Sequence, residues 1–422
     1  MRILFLNHTG AASGAEFALM RLVKAVRRRH HVAVACPGGG PLADMLDDAA
    51  VEHIPLPAFE ASLRLDPIQT PVNMVRLGAG GLALSRAARR FRADLIHANT
   101  PRAGLVGALA QRLGGPPLVV RAHEHVPLNP LGRGVRYVLG RSANAILTVS
   151  QETTRRFNLG LDRPVATFIY NSFDRERFDP DRVRPAGVRK ELGIEPNAAL
   201  LGQVAQITPW KGQDTSIRAL GQLRGEGVNA HLLIVGNIAF SGKGVRYDNH
   251  AYLESLHRLV DELALHDSVH FLGQRRDVPG ILRELDLSLL PSWDEPFANV
   301  MLESMAMETP LLVSSVGGGP ELVEDGVSGR VLPPKRPELW ASAVRDLLGN
   351  REALARMGTG ARAATASFSD EVHARDMLDV YECVLAQPQP DPASVAALVP
   401  RRYNGYNGNG NAEAQRREHM AA

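Results

Sequence analysis

The sequence predicts an α/β protein built from two doubly wound parallel sheets, and three observations carry that prediction. Short runs dense in Val, Ile and Leu recur along the chain with little polar alternation, as strands buried on both faces require. Helical patterns separate consecutive runs, so the repeating unit is strand–helix–strand. The runs fall into two series, divided by the charged, proline-bearing stretch NSFDRERFDPDRVRP at 171–185, which reads as a linker.

The first series is RILFLNH, HVAVACP, DLIHAN, PLVVRAH, AILTVS and VATFIYN. The second is ALLGQVA, AHLLIVG, SVHFLG, LDLSLLP, PLLVSS and GRVLPP. They assign residues 1–183 to one domain and 184–365 to another. The amphipathic pattern FSDEVHARDMLDVYECVLA, within 366–387, is expected to return to the first domain. From 388 to 422 the composition changes to QPQPDPAS and then YNGYNGNGNAEAQRREHMAA, predicting a disordered tail without readable chemistry.

Composition bounds the function. With 422 residues and 45% hydrophobic content, the chain fills two ordinary cores. Cys36 and Cys383 stand alone, so neither a disulfide framework nor a zinc site is expected, and a cytoplasmic location is the default. The apolar run in MRILFLNHTG is too short for a signal-peptide core, and no run reaches the roughly 18 residues of a spanning helix. Net charge is only +3, yet residues 1–185 hold 25 Lys and Arg against 15 Asp and Glu, and the remainder 23 against 30. Positive charge concentrates in RRRHH at 27–31 and SRAARRFR at 85–92. Such clusters are either solvated helix faces or a surface for an acidic or membrane-bound acceptor at the inner membrane face. Aromatic residues are not interleaved with them, which argues against nucleic acid.

In doubly wound folds ligands gather at the carboxyl ends of strands, beside helix N-termini. In HTGAASGAEFALMRLVKAV, Ser13 and Glu16 form a capping box, and Ala15, Leu19, Leu22, Val23 and Val26 form the inward stripe. The amides of Gly14 and Ala15 then open a helix, where a phosphate or substrate oxygen is received. PLVVRAH runs into His123, Glu124 and His125. This trio lacks a remote metal ligand, so no metal is expected; His123 reads as a polar contact to substrate and Glu124 as an acceptor-side residue. His97 and Asn99, ending an earlier strand, invite the same acceptor-side reading.

In the second series, GQVAQITPWKGQDTSIRAL sets Lys211 at a strand–helix junction, where an ammonium supplies a point charge to a phosphate. FLGQRRDVPGIL places Arg275, Arg276 and Asp277 similarly, with Asp277 as an N-cap first and a ligand contact second. LDLSLLPSWDEPF is a buried strand ending near Glu295, and NVMLESMAME the following helix. Asn299 to Glu303 is one helical turn, which lets Glu303 face the same end of the sheet. Gly317, Gly318 and Gly319 in SSVGGGPELV either admit a ligand close to the backbone or make a tight turn.

The ordered set SGAE, RAHEH, YNSFD, ITPWKGQD, FLGQRRDV, EPFANVMLE and VGGGPELV resembles the retaining glycosyltransferases of family 4, over about residues 1–386. The resemblance implies the GT-B fold, two Rossmann-like domains facing an inter-domain cleft. It also implies transfer of a sugar from a nucleoside-diphosphate sugar, UDP- or GDP-linked, to an acceptor hydroxyl, with retention and without metal or other cofactor. The acceptor is a small molecule, a glycan or a lipid-linked sugar. Carried over by position, Lys211 neutralises the donor diphosphate, Glu303 binds the ribose and Glu295 binds the transferred sugar. The amides of Phe297, Ala298, Asn299 and Val300 lie close by. Gly14 contacts phosphate or acceptor, His123 the sugar near the reacting carbon, and 271–277 borders the base.

One position departs from the pattern. The family usually sets an arginine opposite the lysine, and here V-A-Q-I-T-P-W-K-G places Gln206 there. Glutamine donates hydrogen bonds but brings no charge, so compensation is expected from Arg275, Lys243 or helix dipoles, or else a changed donor geometry. The stretch 237–252, NIAFSGKGVRYDNHAY, is longer than expected and either supplies Lys243 or Arg246 to the site or is simply a mobile loop. A same-fold nucleotide-sugar epimerase or hydrolase, or a non-catalytic sugar-nucleotide-binding protein, shares most of these motifs. An NAD-dependent oxidoreductase is disfavoured because HTGAASGAE lacks the G-x-G-x-x-G spacing.

Overall fold

A computed structural model describes residues 1–58, 69–239, 246–387 and 392–398. The chain divides into two compact units, one of Met1–Ser172 with Asp370–Arg401 and another of Phe173–Ser369.

The first unit alternates strand and helix throughout: β1 (Arg2–Leu6), α1 (Gly14–Val26), β2 (His31–Pro37), α2 (Pro41–Asp48), β3 (Glu52–Leu56), α3 (Gln69–Phe91), β4 (Leu95–Ala98), α4 (Pro101–Arg112), β5 (Leu118–Ala122), α5 (Pro130–Ser142), β6 (Ala145–Thr148), α6 (Gln151–Asn158) and β7 (Thr167–Phe168). The strands form one sheet in the order β3-β2-β1-β4-β5-β6-β7. All pairs are parallel, with Ile3 opposite Val32 on one side and Leu95 on the other. The order reverses between β1 and β4, the switch point where such sheets open to ligands.

Local sequence explains the helix starts. Thr100 and Asn129 accept from the amides of Ala103 and Gly132, with Pro101 and Pro130 at the first helical positions, the N-cap followed by proline that helices favour. Two apolar layers sandwich the sheet. One joins Leu84, Ala88 and Phe91 of α3 to Val106 of α4 and Leu139 of α5. The other joins Leu19 and Val23 of α1 to Leu42 of α2 and to Met377 and Tyr381 of α15 (Asp370–Ala386). Within the stretch expected to be disordered, Pro392–Leu398 is helical, with Val395 buried in this second layer. Its few apolar residues are enough to hold about two turns of helix against the core. Residues 388–391 and 399–422 lie outside the described residues.

The second unit contains α7 (Val188–Glu191), β8 (Ala199–Val204), α8 (Gln213–Gly225), β9 (Ala230–Val235), α9 (Asn249–Glu262), β10 (Val269–Gly273), α10 (Val278–Glu284), β11 (Leu287–Leu290), α11 (Asn299–Ala306), β12 (Leu311–Ser314), α12 (Gly319–Leu322), β13 (Gly329–Leu332), α13 (Pro337–Leu348) and α14 (Arg351–Ala364). Its six parallel strands run β10-β9-β8-β11-β12-β13, so its switch point lies between β8 and β11. Trp340 of α13 is fully buried in the core, its indole N–H donating to the Pro333 carbonyl at 2.9 Å. Together the two sheets are the Rossmann-like pair of the GT-B fold.

Candidate active site

At the second unit's switch point, two loops leave adjacent strands. The loop after β8 ends in a short 3-10 turn, Pro209–Lys211. The loop after β11 carries Ser292, Trp293 and Glu295. Trp293 staples them together: its backbone N–H donates to the Trp210 carbonyl at 3.0 Å and its indole N–H to the Pro209 carbonyl at 2.9 Å. The staple brings Lys211 and Glu295 into a buried ion pair, Nζ to Oε2 2.5 Å. The Ser292 hydroxyl donates to the same oxygen at 3.0 Å, and the ammonium lies 4.1 Å from the Trp210 ring centroid. Beneath it, Gln203 donates to the Lys211 carbonyl at 2.8 Å and accepts from Ser216 at 2.7 Å.

Two glycines make this approach possible. Gly212 has φ +70°, and a Cβ there would meet the Pro291 carbonyl oxygen at 2.4 Å. Gly317 has φ +71°, and a Cβ there would meet the Glu295 carbonyl oxygen at 1.7 Å, which the Gly318 amide instead holds at 3.0 Å. Of the triple glycine, Gly317 and Gly318 form a turn, and the group that Gly317 lets come close is the backbone of Glu295.

Helix α11 follows at once. Val300, Met301, Leu302 and Met305 are buried, and Ser304 bonds Ser288 across to β11 at 3.0 Å. This anchored side leaves Asn299 and Glu303 half-buried on the remaining face. Ala298 occupies the N-cap position; it offers no side-chain cap, so the first amides of α11 receive no acceptor from it.

Arg275 is engaged elsewhere. It makes a bidentate pair with Glu191 and a second pair with Asp277, and these carboxylates hold its pKa above the ordinary guanidinium range. Asp277 does stand at the N-cap of α10, but its carboxylate accepts from Arg275 and makes no cap to the helix. Arg275 therefore brings no unmatched charge to replace the arginine missing at Gln206. Lys243 lies outside the described residues, and Arg246 pairs with Asp294 at 3.0 Å. The Gln206 carbonyl accepts from Gln213 at 2.9 Å.

In the first unit, polar groups converge at the ends of β1, β4 and β5. The Glu16 carboxylate accepts from Asn7, from the Ser13 amide and from the Ser13 hydroxyl, fixing the start of α1 at Gly14. Asn99 is a buried hub, donating to Asn7 Oδ1 and to the Ala15 carbonyl at 3.2 Å, with His123 Nε2 3.2 Å from its Oδ1. Burial, with Arg121 adding to it, pushes the His123 pKa well below the ordinary imidazole value, so the ring is neutral at neutral pH. Glu124 is half-buried, and its Oε1 has no hydrogen-bond partner among the described residues. His125 lies 3.3 Å from the Thr153 hydroxyl.

His97 corrects the sequence expectation. It is wholly buried, pinned by the Tyr381 hydroxyl at 2.8 Å and packed between the rings of Phe5 and Tyr381. Alternation along β4 turns it onto the layer covered by α15 and away from the strand's end, so it is a core histidine and no acceptor contact. Arg121, which sequence reading passed over, is also buried and donates to the carbonyls of Thr148 and Ile169 and to Asn171. Among the described residues no group of three or more His, Cys, Asp or Glu is arranged to hold a metal.

Comparison with known proteins identifies the family of both halves of the chain. The family model for glycosyl transferases group 1 matches residues 187–364, which contain Lys211, Glu295 and Glu303. That for glycosyltransferase family 4 matches residues 12–177. A D-inositol 3-phosphate glycosyltransferase of Salinispora arenicola is 31% identical over 335 residues, 74% of this chain and 73% of that protein.

The chain belongs to glycosyltransferase family 4.

A D-inositol 3-phosphate glycosyltransferase of Nocardia farcinica is 30% identical to this glycosyltransferase, over 72% of this chain and 69% of its own. The crystal structure of HepE from Anabaena in complex with UDP-glucose superimposes with a TM-score of 0.78 at 26% identity, covering 90% of this chain and 99% of that one.

Proposed function

We propose that this glycosyltransferase moves a sugar from a nucleoside-diphosphate sugar to an acceptor hydroxyl, with the anomeric configuration retained and without a metal ion. The observation that carries the reading is the buried Lys211–Glu295 pair at the second unit's switch point. A UDP-linked hexose is the donor to try first, because the HepE structure holds UDP-glucose. Inositol 3-phosphate is the first acceptor to assay, because it appears in the names of the relatives.

In this reaction the bond from the anomeric carbon to the β-phosphate oxygen breaks, and a new bond forms to the acceptor oxygen. The acceptor's proton passes to the departing diphosphate. Lys211 and the amides of Phe297, Ala298, Asn299 and Val300 stabilise the charge developing on that leaving group. Glu295 exchanges its ammonium partner for the hydroxyls of the sugar, and Glu303 binds the ribose. As the resemblance implies, His123 serves as a hydrogen-bonding group to the substrate, and Gly14 contacts phosphate or acceptor. Acceptor-dependent appearance of a glycoside, with the proton coupling of the donor's own anomer, is the expected result. Release of free sugar or an epimerised nucleotide without any acceptor would favour the hydrolase or epimerase reading.

A further inference from the structure

Helix α3 carries a surface stripe that the fold does not use. Val72, Val75, Ala79, Leu82, Arg86 and Arg90 follow one another at spacings of three and four, on one side of the helix, and all are exposed. Val75 is 73% exposed and Leu82 48%. The opposite side holds Leu84, Ala88 and Phe91 in the core. From 69 to 93 the chain has five arginines and no acidic residue. In the same helical layer, α5 repeats the theme: Arg133, Tyr137, Val138 and Arg141 are exposed, with Tyr137 at 51%. The Arg141 guanidinium lies 5.7 Å from the Tyr137 ring centroid.

Charge singles out this layer. Residues 69–142 contain eleven arginines against only Asp94 and Glu124, in a chain whose net charge is +3. Only Arg121 and Arg136 of the eleven are buried. An ordinary solvated helix face mixes both signs of charge and seldom shows neighbouring large apolar residues. Apolar side chains beside arginines, with no acid among them, is the pattern of a helix lying in a lipid interface.

We infer that the α3–α5 layer docks onto an anionic lipid bilayer. Val72, Val75, Leu82 and Tyr137 enter the boundary between headgroups and acyl chains, where an aromatic hydroxyl and short apolar groups are both accommodated. Arg76, Arg86, Arg90, Arg133 and Arg141 meet lipid phosphates. Among the described residues no helix is long and apolar enough to cross a membrane, so the contact is peripheral. A soluble polyanion would use the arginines but has no use for Val75 and Leu82, and for that reason the bilayer is the favoured partner. The inference is independent of which sugar the enzyme transfers.

Co-sedimentation of the full chain with vesicles tests it, comparing phosphatidylcholine alone with phosphatidylcholine containing about one part in three phosphatidylglycerol. The full chain should pellet only with the anionic vesicles. Arg86→Gln and Arg90→Gln should each weaken partitioning about 5-fold. Val75→Asp and Leu82→Asp should weaken it at least as much while leaving the melting temperature unchanged, since both side chains are exposed. Equal binding to both vesicles, or arginine and apolar variants that bind as wild type, would overturn the inference. So would binding lost only in the arginine variants and competed fully by heparin, which would make the face a site for a soluble polyanion.

Discussion

Lys211 and Glu295 are each other's counter-ion, and this shapes what substitution does. Both are buried, so Glu295→Ala leaves an ammonium without its partner and should cost about 3–5 kcal/mol of stability. The diphosphate of a nucleotide supplies the missing anion. UDP should therefore raise the melting temperature of Glu295→Ala more than that of the wild type, and an equal or smaller rise would count against Lys211 as the diphosphate ligand. Gln206 carries the complementary prediction. With Arg275 matched by Glu191 and Asp277, Gln206→Arg adds a cation at the position where the family usually has one. Donor affinity by calorimetry should rise about 5- to 10-fold, the scale of one charge-assisted hydrogen bond; no change would mean the side chain at 206 does not reach the phosphates. Both positions were legible in the sequence, because a lysine and a glutamate after consecutive motifs mark strand ends. Their pairing was not, because it depends on Trp293 joining two loops 84 positions apart.

At the level of elements, the loop after β12 braces the Glu295 backbone, with the Gly318 amide on its carbonyl. Gly317→Ala should reduce transfer far more than it reduces stability, since a Cβ there collides with the Glu295 backbone and displaces the carboxylate. A variant with lowered melting temperature but normal turnover would contradict that role. The strands themselves were almost all readable, because parallel strands buried on both faces are continuous apolar runs. The exception is β3, whose EHIPL sequence is an edge strand with mixed exposure and a proline, so it gives no such run. His97 failed for a related reason: a histidine near the end of a strand says nothing about which face it takes until the covering helix, α15, is known. Glu16 was foreseen as a capping residue, but its burial with Asn7 is a tertiary contact that no local pattern announces.

Across the whole molecule, buried neutral histidines make stability depend on pH. Burial drives the pKa of His97 down from 6.5 to about 3 and that of His373 well below its ordinary value, with Arg121 lowering both further. The unfolded chain binds protons at these sites below about pH 6.5, and the folded chain does not until much lower. Their contribution is thus complete above pH 6.5 and lost as pH falls, at about 1.4 kcal/mol per pH unit for each histidine. Denaturation midpoints should fall between about pH 7 and about pH 5; a flat or rising profile would show that these rings are solvated. The central claim, that Lys211 and its neighbours bind a sugar nucleotide, is reached most directly by ligand-induced stabilisation. Wild type and Lys211→Ala should be melted with UDP-, GDP-, ADP- and TDP-sugars. One donor class should raise the wild-type melting temperature and leave Lys211→Ala unmoved, whereas no response to any sugar nucleotide, or an equal response in both proteins, would contradict the account.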